Sequence, residues 1–514
     1  MKPIRMMTGL FTVGVWTLLS RILGFVREIM ILSLIGPGPL MDAFVAAFRL
    51  PNMFRRFFAE GAFNAAFVPM FSKRLEAQSD AAEFAQNAFS GLFFIVTILT
   101  GLGMIFMPAL VWATAEGFTG DDRFDITVGF GRIVFPYILF MSLSALFSGI
   151  LNATGRFAVA AAAPILLNIF VITALTLGAW TGGEVILWLI WAIPLAGVAQ
   201  LAITWRAAAQ AGFSLRPKRP RWNKDMRDLV MIALPAALAS GVMQINLVVG
   251  QLVASQYENA VSWLFAADRL YQLPLGVVGI AVGIVLLPEL SRRLQAGDDA
   301  EAKAALSRAA EISLALTIPS AIALMVIPLT LISVLFERGA SGADDSAAIA
   351  TAVMIYGLGL PAFVLQKIVQ PIYFAREDTK RPFYFAVVAM IVNAALAVGL
   401  APWAGWLAPA IATTVAGWAM YAQLAWGARG FGDAARVDAR FRKRIWRIIA
   451  AALVMGAALW FANIQLTTLL AVPWWRGLGL LILVSIGAFA YFGAGQLLGA
   501  FKLSEFKAAM RRGS

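Results

Sequence analysis

From Phe157 to Trp205 the chain carries a single charged residue, Glu184, and similar apolar stretches follow one another along most of the sequence. A helix of about 20 residues crosses the hydrocarbon core of a bilayer and satisfies its own backbone polar groups, so such a succession dictates an all-α polytopic membrane protein. Composition agrees. Apolar residues make up 61% and charged residues 13%, with mean hydropathy +0.80, whereas soluble domains hold about 45–50% and 25%. The first apolar segment is too long, and too charged at its centre, for a cleaved signal peptide, and reads as a retained helix.

Dividing the chain at bilayer length gives fourteen candidate spans: 8–33, 41–72, 84–112, 127–151, 157–178, 184–205, 228–251, 258–288, 307–336, 347–374, 383–400, 406–427, 446–463 and 474–500. Lys and Arg give their orientation. With the N-terminus inside, about 30 of the 41 basic residues fall in inside loops and tails, as the positive-inside rule requires. Only Arg123, Arg338 and Arg476 fall in outside loops. The inside loops 206–227 and 436–447 are strongly basic, whereas "EGFTGDDRFD" and "ERGASGADDS" outside are net acidic. Both termini are therefore expected in the cytoplasm. The net charge of +13 reflects this topology and contact with anionic membrane lipids, and nucleic acid is not an expected partner.

The chain also repeats itself. "AAFRL" (46–50) recurs as "AADRL" (266–270), and "VPMFSKRLEA" (68–77) as "LPELSRRLQA" (287–296), while Pro136, Arg156 and Asn168 match Pro361, Arg381 and Asn393 at a constant offset of 225. Two copies of a six-helix unit follow: an N-lobe over 1–205 and a C-lobe over 228–428, joined by the basic linker 206–227. A basic loop at 429–445 leads to two extra helices and a tail in 446–514. Six is even, so both copies run the same way across the membrane. Parallel repeats of this kind are a transporter architecture with a site near the midplane.

Without cysteine or histidine, disulfides, thiolate nucleophiles, haem, most zinc sites and imidazole chemistry are excluded. No enzyme activity, metal or cofactor is expected. The chain has no G-x-x-x-x-G-K-[ST] loop, so ATP is not the evident energy source.

Charged residues inside the spans point to the chemistry instead. The cations are Arg21, Arg27, Arg49, Arg55, Arg56, Arg132, Arg269 and Lys367, against Glu28, Asp42, Glu60 and Asp268. The balance is positive and the matching cargo is an anion. An arginine at the centre of a spanning helix costs about 2.5–3.5 kcal/mol on insertion scales, so Arg21, too deep to reach either interface easily, needs a compensating function. Arg21 and Arg27 point about 120° apart on a straight helix, and Gly24 between them is a hinge that could aim both at one cavity. Arg27 has a structural alternative, pairing with Glu28 or Asp42, and Arg56 could pair with Glu60. Arginine binds phosphate oxygens bidentately, which suits a diphosphate.

The stretches "SRILGFVRE", "MDAFVAAFRLPNMFRRFFAEGAFNAAFVP", "FPYILFMSLSALFSGILNATGRF", "APILLN", "AADRLYQLPLGVVGIAVGIVLLP" and "KIVQPIYFAREDTKRP" carry most of these charges and their surroundings. Together they resemble the MurJ (MviN) family of lipid II flippases in bacterial peptidoglycan biosynthesis, within the multidrug and polysaccharide-lipid exporter superfamily. The resemblance implies fourteen helices, two lobes that alternate access, and a cationic cavity for the head of lipid II, an undecaprenyl diphosphate-linked disaccharide peptide. It further implies that the two extra helices form a groove for the lipid tail. The residues it implies for substrate binding are Arg21, Arg27, Arg55 and Arg269, with Ser20, Asp42, Glu60, Asp268 and Lys367 in gating or charge pairing. Glu28 stands where the family usually has Asp, and "RFAVAAAAP" lacks the proline that usually comes shortly before Pro164.

The expectation is a flippase in the bacterial inner membrane, monomeric, able to contact cell-wall synthesis proteins. The alternatives are a flippase for another polyprenyl-linked glycan, a multidrug exporter, or a non-transport scaffold for cell-wall enzymes. A cationic-drug exporter should place carboxylates where this chain places arginines, and a scaffold leaves the buried charges unexplained.

Overall fold

The computed structural model describes residues 3–55, 62–281 and 287–501. Among these residues every regular element is a helix. The chain forms two compact units, Met1–Ser262 with Gly339–Ser341, and Trp263–Arg338 with Gly342–Ser514.

The first unit holds α1 (Pro3–Leu34), α2 (Pro39–Arg55), α3 (Ala62–Glu76), α4 (Ala81–Ile105), α5 (Met107–Thr114), α6 (Asp122–Val134), α7 (Tyr137–Ala153), α8 (Phe157–Thr181), α9 (Val185–Gln210) and α10 (Lys224–Ala254). Its core is aromatic and continuous. Phe67, Phe71, Phe84, Phe89 and Phe147 are buried together, and Phe67 stacks on both Phe71 and Phe84. On the polar side of this core, Arg74 pairs with Asp225 at 2.6 Å and lies over the Phe84 ring. That pair ties α3 to the start of α10. The compact unit thus runs past the expected linker 206–227 and through α10 to Ser262, beyond the point where the second copy of the repeat is expected to start.

The second unit holds most of α11 (Ala260–Ala281), then α12 (Leu287–Gln295), α13 (Asp299–Val326), α14 (Pro328–Phe336), α15 (Ala343–Phe374), α16 (Lys380–Ala404), α17 (Ala408–Ala428), α18 (Ala439–Gln465), α19 (Thr467–Ala471) and α20 (Arg476–Leu497). α18 and α20 dock on α13 through Ile322, Ala452, Met455, Leu459 and Tyr491. The Tyr491 hydroxyl donates to the Ala315 carbonyl at 2.5 Å. Near the polar end of the same contact, buried Glu311 on α13 pairs with buried Arg444 on α18. The two helices outside the sequence repeat are therefore held by both an apolar seam and a buried charge pair.

Helix starts follow local chemistry. Asn223, Asp298 and Asp438 cap α10, α13 and α18 by accepting from backbone N–H groups two or three residues into the helix, which satisfies donors that have no intrahelical partner. Proline marks the breaks at Pro136 between α6 and α7 and at Pro328, the first residue of α14, because its ring and missing N–H oppose helix continuation.

Nine stretches among the described residues are long and apolar enough to cross a membrane. The protein is an integral membrane protein. One of the nine, Lys380–Phe431, contains both α16 and α17. Each of those is 25 or 21 residues long, enough by itself for a crossing at about 1.5 Å per residue. α1, with Arg21, Arg27 and Glu28 inside it, is not among the nine.

Candidate functional site

On α1, Ser20, Gly24 and Arg27 meet one residue of α8, Asn168. The Arg27 guanidinium donates to Asn168 Oδ1 at 3.0 Å and pairs with Glu28. The Asn168 amide in turn donates to the Ser20 carbonyl at 3.0 Å. Asn168 is 5% exposed and Glu28 4%, so a buried polar clasp joins the two helices. Arg27 thus occupies the charge-pairing position that the sequence left open as its alternative. α1 is one helix through Gly24, and a Cβ added there would stand 3.7 Å from Asn168 Oδ1, an ordinary contact.

Arg21 is different. It is exposed, and among the described residues no hydrogen bond or ion pair engages it. The end of α1 at Leu34 lies 13 residues further on, or about 20 Å along the axis. At that depth an arginine cannot lie against hydrocarbon without a large cost.

Arg55 closes α2, where its Nε approaches Asn52 Oδ1 at 3.4 Å, and it lines a cavity of about 170 Å³ inside the first unit. Arg49 reaches the Leu247 carbonyl on α10 at 3.3 Å. Glu60 and Arg56 lie outside the described residues.

Asp42, at the start of α2, is fully buried. It accepts from the Ser262 N–H at 2.8 Å and faces Arg123 at 3.5 Å. Arg123 also pairs with Asp121 at 2.6 Å and lies over Phe118. The first of the three arginines read into outside loops is therefore a buried structural cation, and Arg476 likewise pairs with Glu337 at 3.3 Å.

The remaining candidates belong to the second unit. Arg269 lies 4.5 Å from the centre of the Phe265 ring, and Asp268 accepts from Gln272 one turn on. Tyr271 stacks on Tyr356 beside them at 4.9 Å. Lys367 is exposed on α15.

The residues sequence reasoning missed are uncharged. Asn168 carried a signal, its match to Asn393 in the repeat, and Asn393 is also buried on a helix of the same length. Gln200 carried a weaker one, as the lone amide of an otherwise apolar span.

The family described as lipid II flippase MurJ matches residues 31–483. The chain belongs to the MurJ family. A probable lipid II flippase MurJ of Rhizobium tropici is 46% identical over 420 residues, covering 80% of this chain and 79% of its own. A second, from Rhizobium meliloti (strain 1021), is 43% identical over 518 residues, 98% of this chain and 96% of its own. Among solved structures, a lipid II flippase MurJ in an inward closed conformation matches with TM-score 0.79 at 24% identity, over 94% of this chain and 98% of that one. An inward-facing multidrug resistance MATE family transporter of the MOP superfamily matches with TM-score 0.69 at 15% identity, over 81% and 95%. At those identities the likeness is one of fold, and the MurJ and MATE proteins share it with this chain.

Proposed function

We propose that this chain is a lipid II flippase, moving the undecaprenyl diphosphate-linked disaccharide peptide from the cytoplasmic to the periplasmic leaflet of the bacterial inner membrane. Fourteen spans arranged as two parallel six-helix lobes and two further helices alternate access, with both termini in the cytoplasm. Arg21, Arg27, Arg55 and Arg269 hold the diphosphate head while the tail stays in lipid along the last two helices.

The observation that carries this reading, beyond membership of the family, is Arg21. An unengaged guanidinium about 20 Å inside a helix needs water or an anion in front of it, and a diphosphate supplies oxygens that its planar fork can bind bidentately. Release of Arg27 from Glu28 would add a second guanidinium, since Asn168 already holds its orientation. Energy must come from an ion gradient, the membrane potential or the substrate gradient.

The test is replacement of Arg21, Arg55 and Arg269 by alanine, one at a time, in protein made at normal levels. Each replacement should abolish lipid II translocation, and lysine should restore part of it, because charge persists without the fork. Full translocation by the alanine variants would refute the clamp.

A further inference from the structure

Glu184 is the single charge between Phe157 and Trp205, and the substrate reading does not use it. It is exposed in the short turn between α8 and α9, and its side chain does not cap α9. Tryptophans flank it. Trp180 is 83% exposed and Trp188 39%. A Cβ added to Gly183 would stand 3.3 Å from Trp188 Nε1, so the Trp188 ring lies against the turn that carries the carboxylate.

Next to this turn, α8 and α9 form a groove of about 500 Å³. Its buried lining includes Ala174 and Ala192, whose small side chains leave a gap between the helices, and its exposed lining includes Ile169, Leu177, Trp191 and Leu195. Among the described residues, none that lines it is charged. Both helices are long and apolar enough to cross a membrane. At about 100° per residue, Leu177 is turned about 180° from Asn168, which faces α1. The groove therefore opens on the side of α8 away from α1, toward the bilayer.

Length and charge select the occupant. From Ile169 to Leu177 is about 12 Å along the helix axis, close to the roughly 15 Å that one leaflet contributes to the hydrocarbon core. An acyl chain of one leaflet matches that length, whereas an undecaprenyl tail is several times longer. At the mouth stands a carboxylate among indole rings. That setting attracts an ammonium, both by charge and through the ring faces, and repels a purely anionic head group.

We infer that the α8–α9 hairpin binds one phospholipid with an ammonium head group, of the phosphatidylethanolamine class. The ammonium sits on Glu184 beside Trp180 and Trp188, and one acyl chain fills the groove. In the orientation proposed above this is a lipid of the periplasmic leaflet. None of these residues is assigned to lipid II, so the site is an addition to the flippase reading.

The test uses the full-length purified protein in phosphatidylglycerol nanodiscs. Two photoreactive lipids are compared, phosphatidylethanolamine and phosphatidylglycerol, each with a diazirine midway along one acyl chain, and labelled peptides are mapped by mass spectrometry. Wild type should be labelled within residues 169–195 about fivefold more by the ethanolamine lipid than by the glycerol lipid. Glu184→Gln, at an exposed turn, should bring the two to the same level without changing the melting midpoint. Thr173→Phe, which fills the groove from an exposed position, should remove labelling of this segment by both lipids. Equal labelling of wild type by the two lipids, no labelling within 169–195, or an unchanged preference in Glu184→Gln would overturn the site. Lipid II is absent from the experiment, so such a failure leaves the flippase reading intact.

Discussion

At the scale of single residues, membrane arginines divide by what surrounds them. Arg123 is buried against Asp42 and Asp121, Arg27 is clasped by Glu28 and Asn168, and Arg21 is exposed. Sequence alone places Arg123 in an outside loop and both Arg21 and Arg27 inside the first span, with Arg21 set apart by its depth. Depth identified Arg21, since position along a helix is legible from hydropathy. It could not find the Arg123–Asp42 pair, because those residues are 81 positions apart and no local periodicity links them. Arg123→Ala leaves a fully buried carboxylate facing no cation but holding its Ser262 bond, and should cost about 3–5 kcal/mol. Thermal melting of the purified variant checks this, and an unchanged midpoint would show that the pair is not structural. Asn168→Leu removes the acceptor of Arg27 and the donor to Ser20 together, and should cost about 1–3 kcal/mol in the same measurement.

At the scale of elements, glycine separates a hinge from a close approach. Gly36 has φ +73° and Gly339 φ +62°, and the two sit where residues 339–341 pack on the end of α1. The Ala340 N–H donates to the Ser33 carbonyl at 2.8 Å. A Cβ on Gly36 would stand 2.3 Å from the Ala340 carbonyl oxygen, and one on Gly339 2.1 Å from that of Ser33. Both atoms are backbone and cannot rotate away. Gly36→Ala should therefore lower the melting midpoint sharply, and a tolerant result would mean this contact is not maintained. Gly24 makes the opposite prediction. Its Cβ position is open enough for alanine, and alanine within a helix is worth about 0.5–1 kcal/mol over glycine. Gly24→Ala should hold or raise the midpoint while slowing translocation, if bending of α1 at this point is part of the cycle. Unimpaired translocation would remove Gly24 from the mechanism.

The element scale also shows why hydropathy counts fall short. α1 was legible as a span only by accepting Arg21, Arg27 and Glu28 within it. A threshold on charge discards it, although Arg21 and Arg27 are among the residues proposed to hold the substrate. Conversely, α6 and α7 read as one span because Pro136 breaks the helix without interrupting its apolar run. The buried amides at 168 and 200 are illegible in another way. Asparagine and glutamine in an apolar helix show that a polar partner is needed, and only the packed structure says that Asn168 has one and Gln200 does not.

For the molecule as a whole, the absence of cysteine makes topology directly measurable. The structure refines where to place the probes. Asp121 and Asp345 hold Arg123 and Trp263, whereas Asp122 and Asp344 are exposed neighbours. Cysteine at 122 or 344 should react with a membrane-impermeant thiol reagent from outside, and cysteine at 221 or 442 only from inside. The reverse pattern would overturn the proposed orientation of both termini. The central claim concerns the substrate, and the leaflet distribution of lipid II in the native bacterium tests it most directly. On depletion of this protein, lipid II should accumulate on the cytoplasmic leaflet, with wild type restoring its export and Arg21→Ala failing to. Undiminished appearance of lipid II on the periplasmic leaflet after depletion, with no other flippase active, would contradict the account.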